Sequence, residues 1–459
     1  MTSYPDLSLW HDTAGELLTP RPPLPGDRTV DVAIVGAGYT GLWTAYYLLQ
    51  RRPSLRIAIL ERDIAGFGAS GRNGGWCSSI FPASWRRIAR DGGRDGVTRL
   101  QAALDAAVDE VGRVARAEGI DCDFQKGGYV SVARNEAQWS HASAEVRAAR
   151  EWGIGSETLA LLSKSEAEQR LQASDVLGGT FASHCAAIHP AKLVRGLART
   201  VAARGAAIYE QTAVAGIAPG RVVTQRGTVT ADAVVVATEG YTPELPGRHR
   251  DLVPMYSLMV ATEPLDSAAW DRIGLTTRET FSDKRHLRIY GQRTADGRIA
   301  FGGRGAPYHF GSRVDPAFDR DPVVHGMLRR VLLDLLPGLP RAVRFTHAWG
   351  GNLGVPRDWY PSVRFDPETR IGFAGGYVGD GVALSNLAAR ALADLITGSE
   401  SDLTLLPFVG RQSPRWEVEP ARWVGVNAVT ELFRSADRAE ARSGRPAQRA
   451  AWFWRAIGH

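Results

Sequence analysis

The stretch Asp31-Val32-Ala33-Ile34-Val35-Gly36-Ala37-Gly38-Tyr39-Thr40-Gly41 sets a G-x-G-x-x-G spacing at the end of an apolar, β-type run. This pattern reads as a strand turning directly into a helix. Gly36 permits the tight turn, Gly38 allows an anionic group to approach bare backbone, and Gly41 lets the helix pack closely on the sheet, while the positive helix N-terminus stabilises phosphate charge. Tyr39 and Thr40 open the helix that follows. A second run, Arg56-Ile57-Ala58-Ile59-Leu60, ends at Glu61, twenty residues beyond Gly41, where a carboxylate can accept from ribose hydroxyls. Strand, glycines, helix and acidic strand end make up a βαβ dinucleotide fingerprint. Glu61 followed by Arg62 argues for a ribose without a 2′-phosphate, which a carboxylate would repel, and so for FAD or NAD over NADP.

A chain of 459 residues, 44% hydrophobic and 23% charged, is globular in composition and long enough for two or three domains. The formal net charge is +6, and of the 55 basic residues all but Lys126, Lys164, Lys192 and Lys284 are arginines. They are interleaved with acids and form no block, so nucleic acid is not an expected partner. Cys77, Cys122 and Cys185 are odd in number and widely spaced, which favours neither a disulfide framework nor a zinc site and points to a reducing compartment. Cys77, near the cofactor region, is a flavin attachment candidate weighed against a buried thiol. The opening Met-Thr-Ser-Tyr-Pro-Asp has no signal-peptide pattern and no apolar run is long enough for a bilayer span, so a cytoplasmic protein without a membrane partner is expected.

Pro20, Pro22, Pro23 and Pro25 mark residues 1–28 as an extended arm wrapping the surface. Apolar spacing predicts helices at 40–52, 95–118, 135–152, 193–204, 323–337 and 382–396, and a buried strand at Ala233–Ala237. From about Met255 to Arg304 the pattern changes to a mostly antiparallel sheet, with segments 256–262, 286–290 and 298–301 as strands and Asp296-Gly297 as a hairpin turn.

Two further glycine-rich segments narrow the cofactor. Ala65-Gly66-Phe67-Gly68-Ala69-Ser70-Gly71-Arg72-Asn73-Gly74-Gly75-Trp76 is too long for a simple turn and can lay backbone N–H groups along phosphates and a flat ring. Gly375-Gly376-Tyr377-Val378-Gly379-Asp380-Gly381-Val382 leads into a helix whose N-terminus can stabilise negative charge above it. Together with the first fingerprint and Val236-Ala237-Thr238-Glu239-Gly240-Tyr241-Thr242, these blocks resemble the cofactor-contacting segments of the FAD-dependent D-amino-acid oxidase superfamily. The chain is most similar to its glycine oxidase, sarcosine oxidase and γ-glutamylputrescine oxidase branch, from about Ser8 to about Asp437.

That resemblance implies an α/β fold: a Rossmann-like, glutathione reductase-type FAD domain (29–90, 185–250 and 346–400) with a mostly antiparallel substrate domain (91–184 and 251–345) inserted, and a helical extension over 401–459. It implies non-covalent FAD, with Gly36, Gly38, Tyr39, Thr40 and Gly41 at the pyrophosphate and Glu61 and Arg62 at the adenosine ribose. Ala69, Ser70, Arg72, Asn73, Gly74 and Gly75 would meet the ribityl-phosphate and flavin edge, and Val214 the adenine. Gly376, Tyr377, Gly379, Asp380, Gly381 and Val382 would approach the pyrimidine side of the flavin. Glu239 departs from the family's usual Ala-Thr-Gly-Ala block. The lysine that sarcosine oxidase-like members use with oxygen has no counterpart, since no lysine follows position 284.

The implied reaction is oxidation of a primary or secondary amine or amino acid, aminophosphonates included, to an imine that hydrolyses to a carbonyl compound. Hydride passes to flavin N5 and dioxygen reoxidises the cofactor. A dehydrogenase or specialised biosynthetic oxidase with poor oxygen use, and a flavin-bearing scaffold docking a partner through 401–459, are the alternatives. Candidates for substrate contact or catalysis are Arg304, His286, Tyr290 and Tyr256, with Arg288, Trp349 and Arg357 beside them. An arginine there can clamp an anionic group bidentately, and Arg304, in Phe301-Gly302-Gly303-Arg304-Gly305, is the foremost of them.

Overall fold

The computed structural model describes residues 3–456 and builds them around two eight-stranded sheets. The apolar run 28–35 becomes the strand Arg28–Val35, which pairs in parallel with Ile57–Leu60 on one side and Gly227–Val236 on the other. Ala207–Tyr209 and Ile371–Gly375 extend this sheet in parallel at either end, with Ser362–Asp366 antiparallel at the edge. Strands this apolar suit a sheet covered on both faces. Register decides where the site falls: Val35 stands opposite both Leu60 and Val236, and Val236 opposite Phe373. The segments beginning at Gly36, Glu61, Ala237 and Gly376 therefore leave along one edge, the carboxyl ends of the strands, where open α/β sheets bind ligands.

The helix Tyr39–Arg51 is buried from Tyr39 through Leu49. Its approach depends on Gly41, where a Cβ would lie 2.0 Å from the Gly36 carbonyl oxygen. Gly36 has a φ of +105°, and a Cβ there would meet the Ala237 carbonyl at 2.6 Å, so no other residue suits this turn. The helix Gly381–Thr397 packs alongside, locked by the Arg51–Asp394 ion pair at 2.6 Å.

The second sheet runs Phe345–Val355, Val253–Thr262, Ile299–Gly303, Ile289–Arg293, Thr280–Asp283, Tyr129–Ala133, Gly178–Ala182 and Leu159–Ser163. It is antiparallel except where Thr280–Asp283 lies parallel to Tyr129–Ala133. Phe345–Val355 pairs along the whole length of Val253–Thr262, so the chain rejoins the first sheet only after residue 355, about ten residues later than the 346 boundary. The helix expected from residue 95 starts at Trp85 and is broken at Gly93, whose φ of +63° and ψ of −168° separate two helical stretches.

The N-terminal arm does more than wrap the surface. Its short helix Leu9–Asp12 buries Leu9, Trp10 and His11, and the Trp10 indole donates to the Asn73 carbonyl at 2.8 Å. The C-terminal helix Ala421–Ser443 packs onto its own chain: Arg434 donates to the Gly305 carbonyl and Arg422 to the His249 carbonyl, both at 2.9 Å. In the terminal stretch, the side chains of Ala451 and Trp454, and residues 457–459, lie outside the described residues. No helix among the described residues is long and apolar enough to cross a membrane.

Candidate active site

A cavity of about 410 Å³ opens along the carboxyl edge of the first sheet. One end is formed by Glu61, Arg62 and Val214, the middle by Gly36, Gly38, Tyr39, Thr40, Ala69, Ser70 and Asn73, and the far end by Tyr377, Gly379, Gly381 and Val382. Two helices start on it. Neither Gly38, the N-cap of Tyr39–Arg51, nor Asp380, the N-cap of Gly381–Thr397, caps its helix with a side chain, so most of the first-turn amides stay open to an acceptor. Ser70 Oγ accepts from the Tyr39 amide at 2.9 Å, and the Thr40 and Tyr377 hydroxyls meet at 3.0 Å, tying the glycine-rich segments to one another.

Glu61 accepts from the Ala37 amide at 2.9 Å and the Asp63 amide at 3.0 Å. Burial raises its carboxyl to about 7, against the pull of those two amides. Arg62 lies over the Tyr241 ring, 4.9 Å from its centre, and pairs with Glu244 at 2.7 Å. Tyr241, Glu244, Phe67 and Asn352 also line this cavity; Phe67 and Tyr241 belong to segments the sequence singles out, while Glu244 and Asn352, the latter on the strand Phe345–Val355, carry no local signal.

Six of the cofactor-side residues lie off this surface, among them Gly74 and Asp380, which stand in the walls of a second cavity. Gly41 sits behind it as a packing position, and Gly75 donates its amide to Asn73 Oδ1 at 2.8 Å. Gly376 donates its amide to Glu239 at 2.8 Å. The buried Arg72 guanidinium turns away to Asp319 at 2.7 Å and the Tyr241 hydroxyl at 3.0 Å.

Glu239 takes up the place its departure from the family block left open. Held at a φ of +43°, it also accepts from the Tyr377 amide at 3.1 Å, and burial raises its carboxyl to about 7. It bridges the end of one parallel strand to the turn after another.

A second, smaller cavity of about 90 Å³ adjoins the first, sharing Ala69, Asn73, Leu353 and Gly379 in its walls. Arg72, Gly74, Tyr290, Arg304 and Asp380 line it, with Arg288, Tyr129, Ser257 and Ser282. Arg304 donates to the Val378 carbonyl at 2.5 Å, and Tyr290 OH meets Ser257 Oγ at 2.7 Å. Burial raises the Asp380 carboxyl, while Arg288 and Arg304 pull it down. Asp380, expected on the cofactor side, lines this second cavity together with the two arginines. Tyr129 and Ser282, joined by a 2.6 Å hydrogen bond, arrive through the parallel pairing of two strands about 150 residues apart in sequence, which no local pattern announces.

Four candidates lie elsewhere. Tyr256 points to the opposite face of its strand, because side chains alternate and Ser257 takes the cavity side; its hydroxyl meets the Asp315 backbone and its ring packs on Phe318. His286 precedes the strand Ile289–Arg293 and turns outward to Glu440 at 2.8 Å. Trp349 is buried behind the glycine-rich loop, donating to the Arg72 carbonyl, and Arg357 pairs at the surface with Glu417. Cys77 is buried in a strand pair with Ala186 and lines neither cavity.

The model of the FAD dependent oxidoreductase family, DAO, matches residues 31–395. The chain belongs to this family. The γ-glutamylputrescine oxidoreductase of Escherichia coli is 32% identical over 84% of this chain and 89% of its own length. The glycine oxidase of Geobacillus kaustophilus is 28% identical over 82% of this chain and 96% of that protein. In its crystal structure the latter superposes with a TM-score of 0.70 at 24% identity, covering 84% of this chain and all of that one. This family member is thus an FAD-dependent oxidoreductase. The larger cavity suits the cofactor: Glu61 stands at one end for a ribose, uncapped helix amides occupy the middle for a pyrophosphate, and a second uncapped helix faces the other end.

Proposed function

We propose that this enzyme oxidises a primary or secondary amine or amino acid to an imine, which water hydrolyses to a carbonyl compound, and that its FAD is held without a covalent bond. The observation that carries this reading is the trio Arg288, Arg304 and Asp380 around a small cavity that opens onto the cofactor cavity at Gly379. Arg288 and Arg304 would hold an anionic end of the substrate, and Asp380, with the Tyr129 and Ser282 hydroxyls, would orient the nitrogen. FAD, when bound, supplies the two-electron acceptor for the substrate C–H. The protein's part is to position the substrate and limit water, and the buried Ser257, Ser282 and Ile289 around the cavity do the latter. The names of the relatives, which refer to γ-glutamylputrescine and glycine, support an amine or amino acid as substrate. The positions of Cys77 and of the cavity walls support non-covalent FAD, and a cytoplasmic setting accords with three free cysteines.

Dioxygen is the proposed acceptor. The lysines favour a second reading, a dehydrogenase with poor oxygen use: Lys126, Lys164, Lys192 and Lys284 pair with Asp109, Glu168, Asp123 and Glu145, and none lines either cavity. The deciding experiment is an anaerobic screen of amines, amino acids and aminophosphonates for bleaching of the bound flavin, followed by admission of air. Rapid recolouring with peroxide supports the oxidase, and slow recolouring the dehydrogenase. If no amine bleaches a flavin that dithionite does reduce, the amine reading fails.

A further inference from the structure

His141, His286 and Glu440 converge from three separate parts of the chain: the helix Glu136–Glu151, the segment before Ile289–Arg293, and the C-terminal helix Ala421–Ser443. Their ligand-capable atoms lie within 4.8 Å of one another. Glu440 is 2% exposed, and its Oε1 stands 2.8 Å from His286 Nε2 and 3.7 Å from His141 Nε2. We propose that these three side chains, which line neither cavity, form a binding site for a zinc-type divalent cation closed by the C-terminal helix.

Two imidazoles and one carboxylate are a donor set that borderline cations such as zinc prefer. At zinc–ligand distances of about 2.0–2.1 Å, the edges of a tetrahedral site are about 3.4 Å. The His141–Glu440 distance is close to that edge, the His286–Glu440 pair opens by roughly half an ångström, and the two imidazoles, within 4.8 Å of each other, close onto the same ion. The surroundings orient the ligands. His141 Nδ1 lies 3.4 Å from the Lys284 carbonyl, which takes the Nδ1–H tautomer and leaves the Nε2 lone pair facing Glu440. The His286 ring stacks on Phe433 at an interplanar angle of 9°, while Asp437 accepts the His286 amide at 2.7 Å. The neighbouring cations are already neutralised, Lys284 by Glu145 and Arg285 by Asp283, so the local field does not repel a dication. The His141 side chain is 29% exposed, which leaves a route from solvent and a fourth position for water.

The site would clasp the C-terminal helix to the segment that carries Arg288. Its test uses the flavin-loaded full-length protein, stripped with a chelator, desalted and titrated with zinc against a chromophoric competitor. Cobalt serves as a second probe, with d–d bands to the red of the flavin absorption. One equivalent of zinc should bind, tetrahedral-type cobalt bands should appear, and the Tm should rise with zinc. His141→Ala, a partly exposed residue with little packing to lose, should weaken zinc at least tenfold, abolish the cobalt bands and remove the Tm rise; Glu440→Gln should act alike. Absence of zinc binding at micromolar metal, or binding that both variants leave unchanged, overturns the site. In the latter case the metal sits on other surface groups, and His286–Glu440 is a plain hydrogen bond.

Discussion

Glu239 accepts the Gly376 amide at 2.8 Å, so a partly buried carboxylate rather than a backbone carbonyl joins the end of the strand Gly227–Val236 to the turn that follows Ile371–Gly375. The neighbouring Tyr377 amide is bound by the same group, and Tyr377 forms part of the cofactor cavity. Glu239 and the Thr40 hydroxyl thus hold the far end of that cavity together.

Glu239→Ala leaves two loop amides without their acceptor, at a cost of about 1–3 kcal/mol for each that stays unsatisfied. A lower Tm and weaker FAD binding are expected, with Glu239→Gln intermediate because it keeps one acceptor oxygen. Equal Tm and FAD affinity in all three proteins would remove Glu239 from this role.

Acidification should act in opposite directions on folding and on cofactor binding. Burial raises Glu61 and Glu239 to about 7, above the ordinary 4.5, so the folded apoprotein binds their protons more tightly than the unfolded chain does. Through these two groups the apoprotein gains stability as pH falls from above 7 towards 4.5. FAD binding should weaken over the same range, by up to about tenfold per pH unit, because ribose hydroxyls donate best to ionised Glu61. Glu61→Gln should flatten the second dependence. FAD titrations at pH 8 and pH 6 on wild type and variant provide the check, and parallel pH profiles would contradict the assignment of Glu61 to the ribose.

Gly41→Ala should damage folding more than Gly38→Ala. The added Cβ meets the rigid Gly36 carbonyl at 2.0 Å in the first case and the end of the Ser70 side chain at 2.9 Å in the second. Soluble yield and Tm should fall sharply for Gly41→Ala, while Gly38→Ala should fold and lose FAD affinity. The reverse order would place the phosphate approach at the wrong glycine.

Of the two arginines proposed to hold the substrate, Arg288 offers the cleaner test. Arg304 also holds the Val378 carbonyl, whereas Arg288 is exposed at the cavity mouth. Arg288→Ala should raise the amine concentration for half-reduction of the flavin by about tenfold or more, the worth of one charge-assisted hydrogen bond, with FAD still bound. Arg304→Lys, which loses the planar fork, should do the same and also disturb the Val378 turn. Half-reduction at wild-type concentrations in both variants would reject the clamp. Tyr256→Phe, on the far face of its strand, serves as the control and should leave the titration unchanged.

The first fingerprint, the long glycine-rich loop and the Gly375–Val382 turn were legible because their residue types are dictated locally: a turn with φ near +105° and a helix position where a Cβ would lie 2.0 Å from a carbonyl oxygen admit only glycine. The covered parallel sheet followed from the same runs, since strands buried on both faces must be apolar along their length. The substrate side was legible only as a set of strands. Whether Tyr256 or Ser257 faces the cavity turns on a single residue of register, and the meeting of Tyr129 with Ser282 needs strands from distant parts of the chain to pair. The gathering of Asp380 with two arginines around one cavity, the bridge from Glu239 to Gly376 and the approach of His286 to Glu440 are likewise made across the fold. Sequence by itself determined the glycine-rich edge of the first sheet, because backbone conformation there restricts residue type; tertiary structure alone decided the lining of the smaller cavity, because side chains gathered from separate strands carry no local constraint.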